Sequence, residues 1–340
     1  MDYGSTPLSY QSVNPVGPVK GQTGLLIFGI LAILLGAGSG CMGLMAPISL
    51  LVPQPRGAAR MQAGAVIGGA LLYLAVAGGF IWMGVGSIRR QRWVRPVVLA
   101  VMSLALVAGI FTLIAMAVVA PNIGSAMTTG SAPAPPPGIM RAIIAVMFVV
   151  PAVLLIGVPG AFILFYRKAY VRTALEYFDP TPRWTDRCPI PVLVLSAALA
   201  VMGASVLVTI PQGMAMFGGK ILTGAPAMGV LAAEAAVALL LAYLTAKLRL
   251  AGWWGTIALV IFFAALVVPT NLRADLPDLY AKAGYTADQV AMMRRFKTSS
   301  GAGSLIISGP IILLSLGYLL YVRKFFGRAN GPRGEMSPSA

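Results

Sequence analysis

Eight of the nine acidic residues lie in polar connectors or tails. The ninth, Glu234, stands near the middle of the apolar run 221–246. A carboxyl group is costly to place in hydrocarbon, so at that depth it marks either an ion or proton site or a contact that fixes helix packing. Its neighbours Leu231, Ala232, Ala233, Ala235 and Ala236 are small or aliphatic, which suits close packing in lipid. No Lys or Arg sits deep in any other apolar run. A partner for Glu234 must therefore be a hydroxyl, a carbonyl freed near a proline, water or a bound cation. The chain has no histidine and two cysteines, Cys41 and Cys188. Without histidine the usual haem, copper, non-haem iron and zinc ligand sets fail, and so does the commonest general base. No cofactor, metal site or catalytic residue is expected.

Two further groups of residues carry a functional reading. Pro151, Gly157, Pro159 and Gly160 interrupt one apolar run, and Ser308, Gly309 and Pro310 interrupt another. Proline removes an internal hydrogen bond and kinks a helix. Paired interruptions in two halves of a transporter point to its binding site, whereas ordinary kinking is the plainer reading. Trp93, Trp184, Trp253 and Trp254 stand at the ends of apolar runs, where indole rings act as interfacial anchors.

The elements that must position these residues are membrane helices. Hydrophobic residues make up 58% of the chain and charged residues 10%, too few to cover a water-facing surface. Eight apolar runs have the length of a membrane-crossing helix: roughly 24–50, 62–87, 95–120, 142–166, 190–211, 221–246, 251–270 and 302–322. They are continuous rather than alternating, which excludes barrel strands. The expected fold is an all-α integral membrane protein with eight transmembrane helices. The net charge of +16 comes from loops: with both termini cytoplasmic, sixteen of the 25 Lys and Arg residues fall inside. The positive-inside rule thus favours N-in, C-in, and the basic residues set topology rather than bind nucleic acid.

The chain divides into a disordered cytoplasmic tail (1–22), a first four-helix half (23–170), a cytoplasmic linker (171–189), a second half (190–326) and a second tail (327–340). An extracytoplasmic amphipathic segment is expected at 286–298, and a low-complexity Pro/Ala/Gly connector at 121–140. In the linker, Val171 to Phe178 is expected to continue the fourth helix, stopped by Asp179 and Pro180. The halves are similar at an offset of 160: Arg89 aligns with Arg249, Trp93 with Trp253 and Leu74 with Glu234. At a different offset, Phe165 to Lys168 matches Tyr321 to Lys324, an aromatic residue and Arg-Lys closing the fourth run of each half. These matches indicate a parallel 4+4 duplication.

Gly84 and Gly86, followed by Arg89 and Trp93, resemble a helix end common in small bacterial multi-pass membrane proteins. The segment Trp184 to Val192 is similar to a linker in some of them. This resemblance implies a bacterial inner-membrane protein and carries no activity with it. The leading expectation is a non-enzymatic structural or accessory membrane unit, with the bilayer and a membrane partner or second copy as its contacts. The alternative is a transporter or channel-like protein for protons, cations or apolar solutes that uses Glu234. An intramembrane lipid-acting enzyme comes third, because no nucleophile–base pair is visible. Scarce polar residues in the spans argue against a strongly hydrophilic solute.

Overall fold

The computed structural model describes residues 21–51, 59–128, 137–217, 220–273 and 301–326, with isolated positions between 281 and 291. The tails, the centre of the 121–140 connector and nearly all of 286–298 lie outside the described residues. Six helices are long and apolar enough to cross a membrane: Gln22–Ile48, Val66–Ile88, Val94–Ala117, Ala145–Tyr166, Ile190–Gln212 and Ala225–Ala246. Large apolar side chains such as Leu34, Leu164 and Leu313 point outward, as lipid-facing residues must.

Helices α1 (Gln22–Met45) and α2 (Ala59–Ile88) form the first antiparallel pair. Small residues recur every seventh position along their seam, with Gly29, Gly36 and Gly43 meeting Gly84, Ala77 and Ala70. A methyl group on Gly36 would stand 2.9 Å from the Ala77 carbonyl, so the backbones touch where larger side chains would separate them. Helix α3 (Val94–Thr128) runs eight residues into the stretch read from sequence as a connector. Helix α4 (Pro137–Ala152) passes through one π turn, Val153–Gly157, into α5 (Val158–Tyr166).

The linker corrects one expectation. Residues Val171 to Phe178 do not prolong the fourth span. Lys168 adopts an extended backbone and α6 (Ala169–Phe178) starts afresh. Its pattern explains the turn: Val171, Ala174 and Leu175 share one face and bury themselves in the first half's core beside Leu25, Phe162 and Tyr166. A short α7 (Trp184–Arg187) then leads into α8 (Ile190–Thr209), which begins with a proline in its first turn.

Beyond α8, a 3-10 turn (Ile210–Gln212) precedes an antiparallel hairpin, β1 (Met214–Phe217) with β2 (Lys220–Thr223), which the sequence reading had not anticipated. Gly213 and Gly224 close its base with a 2.8 Å backbone hydrogen bond. Both have positive φ, and Gly224 (φ 71, ψ −145) sits where a side chain is not tolerated. Helices α9 (Ala225–Ala246), α10 (Leu250–Arg273) and α11 (Gly301–Val322) complete the chain.

Polar bonds tie this second group into a series, α9 to α8 to α11 to α10. Ser196 donates to the Ala242 carbonyl (2.9 Å), Trp253 to Leu319 (2.8 Å) and the Tyr318 hydroxyl to Pro191 (2.7 Å), joining α8 to α9, α10 to α11 and α11 back to α8. The first group meets it through glycines on α2. Gly64 lies against Pro211 and Gln212, and Gly68 abuts the Val208 carbonyl.

Candidate functional site

Glu234 is the tenth residue of α9, about 14 Å along the axis from the helix start and about 18 Å from its end. Its side chain is half-buried on the wall of a cavity of about 700 Å³. Helices α9 and α10, the hairpin and the chain leading into it build that cavity. From α9 come Leu231, Glu234 and Val237. From α10 come Leu259, Phe262, Phe263 and Leu266, spread over two turns. The hairpin supplies Phe217 and Met214, the turn before it Gln212, and the end of α8 Thr209. The hairpin is held over α9 by a small packed cluster in which Ala215 meets Ala227 and Leu231. Helix α9 packs far more closely on α8 than on α10, so space opens on the α10 side.

The lining is mostly hydrocarbon. Its polar side chains are Thr209, Gln212 and Glu234, and the Thr209 hydroxyl already bonds the Val206 carbonyl at 2.7 Å. Glu234 has no hydrogen-bond or ion-pair partner among the described residues. Three phenyl rings stand with it: Phe217 and Phe262 have centroids 6.3 Å apart, and Phe262 and Phe263 6.0 Å apart. Phe217 is 42% and Phe262 49% exposed, so neither ring is covered by protein. The arrangement can hold a mainly apolar body and offers it one anionic end.

The other residues singled out from sequence lie elsewhere. Pro151 is inside α4, while Gly157 ends the π turn and Pro159 opens α5 with Gly160 next to it. The π turn absorbs the proline: the Val158 amide bonds the Val153 carbonyl, five residues back. Gly109 of α3 abuts the Leu155 carbonyl in that turn, so the irregular backbone meets a helix and is not brought to the cavity. Ser308, Gly309 and Pro310 lie within α11, which continues through them as helix. Trp93 is buried, stacked on Trp82 at 4.0 Å, with its indole N–H on the Gln91 side chain. Trp253 is buried beneath Arg323. Trp184 and Trp254 are exposed.

One polar constellation was missed. Arg92, in the turn between α2 and α3, reaches Glu176 (3.3 Å) and Asp186 (3.4 Å), and its amide donates to Asp179 (3.1 Å). Arg90 lies 4.3 Å over the Phe178 ring. The hydrogen bond and charge of Arg172 hold the Glu176 carboxyl below its ordinary range, outweighing its slight desolvation. Desolvation pushes Asp179 upward, but the Arg92 amide, the Thr181 hydroxyl and the charges of Arg183 and Arg92 leave it lowered. The signal was present in sequence: three of the nine acidic residues fall within one linker, which must be read against Arg89, Arg90, Arg92 and Arg95.

The two helix-to-helix turns are the same structure. After α2, Arg90 (φ 54) takes a left-handed conformation, its amide bonding Ser87 and that of Gln91 bonding Gly86. After α9, Leu248 (φ 56) does the same, with Thr245 and Leu244 as acceptors. This is a Schellman closure in both places. Arg90 to Leu248 is 158 positions, and so is Ser87 to Thr245, two fewer than the offset that aligns Trp93 with Trp253. Comparison with family models, curated proteins and solved structures finds no match to this chain.

Proposed function

We propose that this is a membrane transport protein, an eight-span bundle of two related four-helix halves with both termini cytoplasmic in a bacterial inner membrane. Its solute site is the cavity between α9, α10 and the hairpin, and Glu234 is the group that exchanges solute for a proton. The observation that carries this reading is a carboxyl, without a partner among the described residues, on the wall of a cavity of ligand size. A packing carboxyl would instead bond across a helix pair, a task that Ser196 and Trp253 perform in this half. An enzymatic reading is disfavoured because the described lining brings no second titratable group to Glu234. The recurrence of the Schellman turn, with a buried hydroxyl at the same place in each, supports the duplication.

The test uses the full chain in vesicles loaded with a pH-sensitive dye and given a pH gradient, with a panel of cationic, anionic and neutral apolar solutes added in turn. Proton movement faster than in protein-free vesicles, abolished by Glu234→Gln, is the expected result. Equal rates for wild type and the Gln variant overturn the proposal.

A further inference from the structure

We infer that the occupant of the Glu234 cavity is an amphiphilic organic cation, an apolar body carrying one quaternary or protonated nitrogen. This deepens the transport reading and rests on it. The inference follows from elimination among the occupants that such a lining can hold.

A hard metal ion needs about six oxygen ligands at short range. The lining supplies the Glu234 carboxyl, one side-chain amide at Gln212 and one hydroxyl already engaged at Thr209. A proton alone needs no space of about 700 Å³. A neutral hydrocarbon fills the space but leaves the carboxyl protonated and without a hydrogen-bond partner, so it gains nothing from the one polar end of the wall. An anion meets a carboxyl and no cation, because no Lys or Arg lines the cavity among the described residues.

An organic cation satisfies each part of the wall. Its nitrogen faces Glu234, and its hydrocarbon lies on Leu231, Leu259 and Leu266. The faces of Phe217, Phe262 and Phe263 add the attraction between a ring quadrupole and a cation, strongest where water is excluded. A weakly hydrated quaternary nitrogen is also the charge that loses least on leaving water. Exchange with a proton follows directly: the cation and the proton each neutralise the same carboxyl, and the wall offers no second group to hold both.

The test places the full chain in neutral-lipid nanodiscs. It compares binding of phenylbutyltrimethylammonium with that of its uncharged isostere, in which a quaternary carbon replaces the nitrogen. Wild type is expected to prefer the cation by about tenfold or more, with Glu234→Gln bringing the cation down to the isostere's level. Phe262→Leu is expected to lower cation affinity by about threefold while the isostere changes less. Should the Gln variant fail to fold, the wild-type preference and the Phe262 variant still decide the matter. Equal retention of both probes, blocked for both by Ala258→Trp, overturns the cation inference and leaves the transport reading standing. Retention of neither probe above empty discs overturns both.

Discussion

The α2–α3 and α9–α10 hairpins turn in the same way and hold different contents. Around the first, Ser87 donates to the Leu25 carbonyl at 2.8 Å and so accepts a hydrogen bond from the Tyr166 hydroxyl at 2.6 Å. Phe28, Phe162, Phe165 and Tyr166 interlock beside it, with Phe28 stacked on Phe165 at 4.4 Å. At the second turn Thr245 occupies the place of Ser87. It is fully buried, and its hydroxyl has no partner among the described residues. The residue aligned with Tyr166 is Val322, equally buried and unable to hydrogen-bond. The first group of helices is filled and bonded, whereas the second leaves a cavity with a carboxyl on its wall. One turn geometry thus supports a packed pillar in one group and an open chamber in the other.

The contrast predicts unequal tolerance to substitution. Phe162→Ala should cost about 3–5 kcal/mol in unfolding titrations in mixed micelles, because it empties a filled core. Ala258→Leu, which adds volume to the chamber, should change stability by less than about 1 kcal/mol, since space is already there. Comparable losses from both would mean that the chamber is not open.

Gly68→Leu probes the joint between the halves. Its side chain must enter the Val208 backbone, and a loss of about 3 kcal/mol is expected. Wild-type stability in that variant would mean that the halves do not meet there.

Next in size is the pair of turn hydroxyls. Ser87→Ala strands the Tyr166 hydroxyl and should cost about 1–3 kcal/mol, whereas Thr245→Val removes a polar atom that had no partner and should be neutral or stabilising. Equal effects would erase the distinction between the two turns.

The smallest effect belongs to the Arg92 cluster, which is partly exposed and therefore screened. Glu176 and Asp179 are both lowered from their ordinary values of 4.5 and 3.8. Their contribution is present above those values and is lost as pH falls through the lower folded ones. Melting temperature should therefore decline in that acid window, and less steeply for Glu176→Gln with Asp179→Asn. An identical decline would remove the cluster from the account.

Much of this contrast was legible in sequence, but unevenly. Glu234 and the six long apolar helices follow from composition and run length, which local hydropathy records directly. The α1–α2 seam was half legible: Gly29, Gly36 and Gly43 stand in the sequence at a seven-residue spacing, but their partners on the facing backbone could not be read there. The chamber was hidden because its wall joins Glu234 to Phe217 and Phe262, which come from separate elements and mean nothing until α9 and α10 diverge. The hairpin was obscured by its glycines, which read as loop. The π turn shows the same limit: Pro159 announces an interruption, but only the packing of Gly109 on Leu155 shows what the interruption meets.

The central claim is that Glu234 is a free carboxyl facing an occupiable chamber. Dicyclohexylcarbodiimide, an apolar reagent that modifies carboxyl groups within membranes, tests it most directly when adducts are mapped by mass spectrometry on the full chain in lipid. The account predicts modification at Glu234, slowed by phenylbutyltrimethylammonium and not by its uncharged isostere. A Glu234 that stays unmodified, or reacts at the same rate with the cation present, would contradict it.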